Sequence, residues 1–285
     1  MANLLQAIYT AINNQIVDVA SFYRSKNRIN AVGDALELFI KDIFADTLNE
    51  TNEVKKNDVY EKVFSYFGNA NNPPDLMLIN GGDAIEVKKI SSENGQIALN
   101  SSYPSAKLFA DSPMITSTCR KCETWKERDL IYTIGSINNK SNKLTLLWFV
   151  YGDCYAASRE VYEKIRTTIA KGIIAIPGVD FSQTNELGRG NKIDPLGITN
   201  LRIRGMWNIE HPTKVYNYLN IKYQPYKTLR LFGIMREIKY QSFPLEDRER
   251  LEAVVDSNFM IEDIKIKSPD NPVKQVPAKL ISYQV

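Results

Sequence analysis

Cysteine and histidine are scarce in this chain, with three cysteines and one histidine in 285 residues. Three thiols cannot all pair within one chain, which excludes a closed disulfide framework and points to a reducing compartment. A structural zinc site takes four ligands, so Cys119, Cys122, Cys154 and His211 would all have to converge. The Cys119-Arg-Lys-Cys122 spacing raises that reading; half-buried small residues beside the basic pair Arg120-Lys121 are the alternative. No apolar run reaches the roughly 18 residues that cross a bilayer. The N-terminus Met-Ala-Asn-Leu-Leu-Gln-Ala lacks the basic region and long apolar stretch of a signal peptide, so a cytoplasmic protein without a membrane partner is expected. Repeats and low-complexity segments are absent. So is a strong charge of one sign: the net charge is +3 and the pI near 8.5, which permits nucleic-acid binding without arguing for it. At 44% hydrophobic and 24% charged, the composition is that of a globular chain able to bury a sizeable core.

What is present centres on residues 73–89, Pro-Pro-Asp-Leu-Met-Leu-Ile-Asn-Gly-Gly-Asp-Ala-Ile-Glu-Val-Lys-Lys. Two short apolar runs, Leu76–Ile79 and Ala84–Val87, flank Asn-Gly-Gly-Asp, the pattern of a tight β-hairpin, because glycine accepts the positive φ such turns need. A two-residue Gly81-Gly82 loop sets Asn80 opposite Asp83, Asp75 opposite Lys88 and Met77 opposite Glu86. Alternation then puts Asp75, Glu86 and Lys88 on one face, with Ile85 and Val87 on the other. Two carboxylates and an ammonium within reach of one small ion suit a hard divalent cation such as Mg²⁺. Lys88 would orient or deprotonate a water, or offset charge on a phosphate. The bland alternative is an Asp75–Lys88 cross-strand ion pair on an exposed hairpin.

Pro74-Asp75, ten residues, then Glu86-Val87-Lys88 resembles the PD-(D/E)xK nuclease motif of most type II restriction endonucleases. The resemblance implies a mixed α/β sheet flanked by helices, Mg²⁺ as cofactor, Asp75, Glu86 and Lys88 as the catalytic set, and Asp75 and Glu86 as metal ligands. Related nucleases often carry a helical Glu ahead of the hairpin. Glu37 matches that pattern as a further metal ligand; an i,i+4 pair with Lys41 is the competing reading.

Taken in order, Leu4, Leu5, Ile8, Ile12, Ile16 and Val19 predict an amphipathic helix over 3–20, and Leu36, Phe39, Ile40, Ile43 and Phe44 a second over 31–45. Residues 59–67 read as a short helical or strand piece and 68–74 as a loop. Asn100, Ser101 and Ser102 offer small polar groups for phosphates close after the motif, or simply form a polar loop; Lys107 follows as a further DNA contact. Strands are predicted over 129–137 and 143–151, the second continuously apolar and central. A helix from Ser158 to Lys171 places Val161, Ile165 and Ile169 inward, with a short strand over 172–178 after it. Residues 186–197 read as a mobile, basic, Gly-rich segment containing Arg189 and Lys192. Arg202 and Arg204 then share one face of a strand, with Asn208 on the same parity. Arginine's fork fits guanine O6 and N7 in the major groove; a solvated strand face is the alternative. The last 20 residues, with three prolines, predict extended chain wrapping the body.

Three stretches are similar to the NgoPII-like group of restriction enzymes, which cuts GGCC: residues 27–37, Asn100-Ser-Ser-Tyr-Pro104, and Asp111-Ser-Pro-Met-Ile-Thr116 leading to Cys119 and Cys122. The resemblance runs from the N-terminus past Trp148 and weakens beyond. It implies sequence-specific cleavage of double-stranded DNA, GGCC as target, and a cognate DNA methyltransferase that protects the host. A palindromic target implies a homodimer. One domain over 1–285 is expected, its catalytic core at about 30–178 and its DNA-recognition and C-terminal elements at about 179–285. A structure-selective repair nuclease or resolvase on the same fold, and a non-catalytic DNA-binding protein, are the other readings.

Overall fold

A computed structural model describes residues 2–24, 32–69, 71–93, 95–99, 102–138, 140–177, 180–182 and 187–285. The N-terminal apolar spacing folds as two helices instead of one. α1 (Leu4–Asn14) begins where the Asn3 side chain accepts the N–H groups of Leu5 and Gln6, and ends where Gln15 turns left-handed at φ 45°. A residue at positive φ cannot continue a right-handed helix, so the chain restarts in α2 (Val19–Arg24). α3 (Val32–Ala45) forms as expected and buries Leu36, Phe39, Ile40, Ile43 and Phe44. The ambiguous piece at 59–67 is both structures: α4 (Glu53–Val63), capped by Asn52, passes directly into β1 (Phe64–Asn69).

The expected loop before the motif is mostly strand. β2 (Asn72–Leu78) pairs antiparallel with β1, and β3 (Ala84–Ile90) pairs with β2. Leu76 faces Ile85 and Met77 faces Ala84, a register two residues away from the expected one. The turn chemistry explains the difference: Asn80 and Gly81 both take positive φ, at 59° and 83°. Gly82 donates to the Ile79 carbonyl and Leu78 to that of Asp83, so the loop is 79–82. A two-residue slip keeps every side chain on its face, where a one-residue slip would have inverted them. Continuing the ladder outward, Asp75 stands opposite Glu86, not Lys88.

β4 (Ile97–Ala98), β5 (Lys107–Phe109) and α5 (Ser117–Lys121) lead to the long hairpin of β6 (Glu127–Ile137) and β7 (Leu144–Tyr151). After the single turn α6 (Gly152–Tyr155) comes α7 (Arg159–Ile174), which absorbs the first residues of the strand expected over 172–178. No residue of α7 is buried. Val161, Ile165 and Ile169, expected inward, are 50%, 49% and 44% exposed, because the helix lies outside the layers that close the core. The Gly-rich segment makes a separate three-stranded sheet from β8 (Asp180–Ser182), β9 (Gly188–Asn191) and β10 (Leu201–Ile203).

Asn208 opens a different strand, β11 (Asn208–Ile209), which pairs with β4, so it does not continue the face of Arg202. α8 (Pro212–Val215), β12 (Arg230–Arg236), α9 (Glu237–Ser242), α10 (Leu245–Glu252), β13 (Phe259–Lys267) and β14 (Gln275–Gln284) complete the chain. The expected C-terminal wrap is largely β14, held between β12 and β13.

The main sheet runs β1-β2-β3-β6-β7-β12-β14-β13, with β5 paired to β6 off that path. β3–β6 and β7–β12 are parallel and the other ladders antiparallel, so the sheet is mixed and flanked by helices, as expected. β7, continuously apolar, lies between β6 and β12. α3 approaches β6 at Gly135, where an added Cβ would stand 2.6 Å from Leu36 Cδ2. That close contact fixes the helix that carries Glu37.

Candidate active site

Neighbouring strands and one helix build the site. β2 supplies Asp75, whose Oδ2 accepts the Val87 N–H at 2.6 Å. β3 supplies Glu86, buried at 8% exposure, and Lys88, whose Nζ lies 2.6 Å from Glu86 Oε1. Among the described residues the alternative, an Asp75–Lys88 cross-strand ion pair, does not form, and Lys88 pairs with Glu86 within one strand. Glu86 Oε2 is buried with no hydrogen-bond partner, a cost a folded chain tolerates where a ligand completes the group.

The charges respond accordingly. Burial, then the charge of Glu86, pushes the Asp75 carboxyl up to about 8, against the opposing pull of Lys88 and the Val87 N–H. Burial disfavours the Lys88 ammonium, but Glu86, Asp75 and Glu37 outweigh it and hold its pKa above the ordinary lysine value. Two carboxylates that repel each other, one with an unpartnered oxygen, are a hard donor set short of positive charge. That donor chemistry fits a divalent cation.

Glu37 lies on α3 across a cleft of about 280 Å³ that Asp34, Lys41, Gly68 and Asp75 also line. Its side chain keeps solvent exposure, yet burial of part of it, then Asp34, raises its pKa, with Glu86 adding to the rise and Lys88 opposing it. Among the described residues no ion pair joins Glu37 to Lys41. The Lys41 ammonium instead sits 4.2 Å from the Phe67 ring centroid and 5.3 Å from that of Tyr60. Among the described residues, no three Asp, Glu, His or Cys side chains close into a group that could hold a metal unaided. Asp75 and Glu86 therefore form the inner pair, and Glu37 stands back on the cleft wall.

Gly68 escaped the sequence reading. A Cβ there would stand 2.2 Å from the Pro74 carbonyl oxygen and 2.9 Å from Asp75 Cα, so only glycine lets β1 lie against the residue that carries the first carboxylate. A glycine inside a strand pattern is the signal that could have found it.

Other expected contacts are scattered. Ser102 and Lys107 line a second cavity, of about 40 Å³, on the Glu86 side, together with Tyr132 and Arg159. The Lys107 ammonium is already engaged by Glu127 at 2.6 Å and Asp129 at 3.7 Å. Ser101 lies outside the described residues. Arg202 sits directly opposite Arg189 on the β9–β10 ladder, and both are exposed; Arg204 follows just past β10, and Lys192 is exposed just past β9. The cysteines and histidine take separate partners: Cys119 Sγ lies 3.4 Å from Met77 Sδ, Cys154 bonds Asp153, and His211 Nδ1 accepts the Thr213 N–H.

The family model described as NgoPII restriction endonuclease matches residues 2–267. The chain is 47% identical over 283 residues to the type II restriction enzyme NgoPII of Neisseria gonorrhoeae, covering 99% of this chain and 100% of that protein. No solved structure matches. With the Asp75, Glu86 and Lys88 cluster formed on β2 and β3 and the match spanning nearly the whole sequence, the chain belongs to the NgoPII restriction endonuclease family, enzymes that cut DNA at specific sequences.

Proposed function

We propose that this enzyme hydrolyses phosphodiester bonds of double-stranded DNA at GGCC, with Mg²⁺ held by Asp75 and Glu86, in the cytoplasm of a host whose own DNA a cognate methyltransferase protects. The observation that carries the proposal is the buried, unpartnered Oε2 of Glu86 beside an Asp75 carboxyl raised to about 8. Type II restriction enzymes use a divalent metal; bound here, Mg²⁺ would polarise the scissile phosphate and acidify water. Glu37, which lines the cleft with Asp75, would accept hydrogen bonds from water held by the ion. The raised pKa of Lys88 keeps it an ammonium, which favours offsetting charge on the phosphate over taking a proton. Ser102 lies on the Glu86 side, where it supports a phosphate contact. Arg189 and Arg202, with Arg204 and Lys192 nearby, make the small sheet the element best suited to the groove. A two-fold homodimer matches a palindromic target.

Incubating the protein with phage DNA, with and without Mg²⁺, tests the reading. Discrete fragments ending at GGCC, formed only with the metal, are expected. Selective cutting of branched DNA, or no cutting in any divalent metal, would overturn it.

A further inference from the structure

We infer that Glu123 and Arg128 are positioning residues of the cleavage reaction: together they clamp the β2–β3 turn and so set the register that brings Asp75 opposite Glu86. The inference rests on the reading of those two carboxylates as the metal pair. Glu123 Oε1 accepts the Asn80 N–H at 2.7 Å, and Oε2 accepts the Gly81 N–H at 3.4 Å. Both turn residues stand at positive φ, and successive N–H groups in such a turn converge into a seat for an anion. Arg128 Nη2 pairs with Glu123 Oε2, and Arg128 Nη1 donates to the Gly82 carbonyl at 3.1 Å. One ion pair thus grips two donors and an acceptor of the same loop.

Both partners come from outside the hairpin. Arg128 is buried on β6, the strand that pairs in parallel with β3 from Ala84 to Ile90. Glu123 follows directly on Cys119-Arg-Lys-Cys122. That segment is anchored to β2, since Cys119 Sγ lies 3.4 Å from Met77 Sδ, and Trp125 Nε1 donates to the Cys119 carbonyl at 3.3 Å. Its fixed place beside β2 delivers the Glu123 carboxylate to the turn. Burial opposes the Glu123 charge, but the Asn80 N–H and the Arg128 guanidinium outweigh burial and hold its pKa below the ordinary carboxylate value.

Register is where the clamp bears on the reaction. Asn-Gly-Gly-Asp also accommodates a two-residue Gly81-Gly82 loop, which would set Asp75 opposite Lys88. The turn fixes the register of a hairpin. A carboxylate bound to the Asn80 and Gly81 N–H groups favours the 79–82 loop, in which the two metal-binding carboxylates stand opposite each other.

Amide hydrogen exchange, Ca²⁺ calorimetry and single-turnover cutting of phage DNA test the inference on the full chain. Glu123→Ala should speed exchange in residues 76–78 and 84–88 at least about tenfold, and leave β12 and β14 unchanged. Ca²⁺ affinity should fall at least about tenfold, and the Mg²⁺ concentration for half-maximal cutting should rise as much. Affinity for cognate DNA should stay within about threefold of wild type. A merely structural loss would lower every activity with the folded fraction and shift no half-saturation. Glu123→Gln keeps an acceptor for the Asn80 N–H and should bind Ca²⁺ more tightly than Glu123→Ala. Lys279→Met breaks a 2.7 Å ion pair with Asp263 at the other edge of the sheet and should move none of these readouts. Unchanged exchange in the hairpin, an unshifted half-saturation, or a Glu123→Gln variant no better than Glu123→Ala would overturn the clamp. A wild type that cuts nothing and binds no Ca²⁺ sinks the metal reading alone, and exchange then decides the clamp.

Discussion

Asp75 Oδ2 accepts the Val87 N–H at 2.6 Å, which pins the first carboxylate of the motif between its other two members, Glu86 and Lys88. The bond fixes the carboxyl from the far side of the ladder, and Asp75 lines the cleft that Glu37 faces. Asp75→Ala or Glu86→Ala should abolish cleavage while leaving binding to cognate DNA intact, as read by gel shift beside single-turnover cutting. Losing a metal ligand removes several kcal/mol of transition-state stabilisation, so survival of more than about one per cent of wild-type cleavage would remove the residue from the metal site.

Lys88 and Lys89 are adjacent but point to opposite faces of β3, Lys88 half-buried against Glu86 and Lys89 exposed. Lys88→Ala should abolish cleavage while metal affinity, measured calorimetrically, survives. Lys89→Ala should change the rate less than about threefold, the scale of an exposed substitution. An essential Lys89 with a dispensable Lys88 would mean the strand is inverted.

Gly68→Ala adds one methyl group and forces β1 away from Asp75. It should cost about 1–3 kcal/mol of stability, as overpacking does. Cutting should fall at least tenfold in the fraction that remains folded, because the carboxylate moves with its backbone. Thermal melts paired with rates on the folded fraction check both; an unchanged rate would show that Asp75 tolerates the displacement.

Arg189 and Arg202 face each other across the β9–β10 ladder. If they read guanines, replacing either by Ala should cost about 1–3 kcal/mol on the cognate site and little on random DNA. Arg→Lys keeps the charge, loses the planar fork, and should lose most of the preference for the cognate site. Equal weakening on both duplexes, with a flatter salt dependence, would make these residues backbone anchors instead.

His211 is fully buried, and that burial lowers its pKa to about 4. The unfolded chain takes up a proton near pH 6.5 that the folded chain refuses until about 4. Stability contributed by the neutral ring is thus complete above pH 6.5 and is lost as pH falls from there towards 4, in total about 1–3 kcal/mol. His211→Asn keeps a side-chain acceptor for the Thr213 N–H and should flatten that part of the profile. Denaturant melts of wild type and variant between pH 4 and 7 read the difference, because the slope from the raised Asp75 carboxyl is common to both; an unchanged slope in the variant would contradict the assignment.

The motif was legible because it is local. The alternation that puts Asp75, Glu86 and Lys88 on one face survives any even slip of register, so the face was right although the opposing residues were not. α3, β6 and β7 were legible for a related reason: their apolar spacing is long and uninterrupted, so the pattern decides the element without help from neighbours. α1 carried the same spacing through Gln15, yet the chain breaks there in a left-handed turn that spacing alone does not report.

What tertiary structure alone decided is which apolar faces find a partner and which charges end up together. The stripe of α7 has the spacing of a core helix, and only the placement of that helix outside the sheet leaves it in solvent. Lys41 has the spacing of a partner for Glu37, and only the nearness of Phe67 and Tyr60 draws its ammonium elsewhere. Arg202 was read with Asn208 by parity, but its strand ends at Ile203 and its cross-strand neighbour is Arg189. Gly68 shows the same division, since its place in the sequence marks a glycine while the 2.2 Å from its Cβ position to the Pro74 carbonyl oxygen explains it. Sequence periodicity fixes which side of an element each residue occupies. Distances between elements far apart in the chain decide what that side meets.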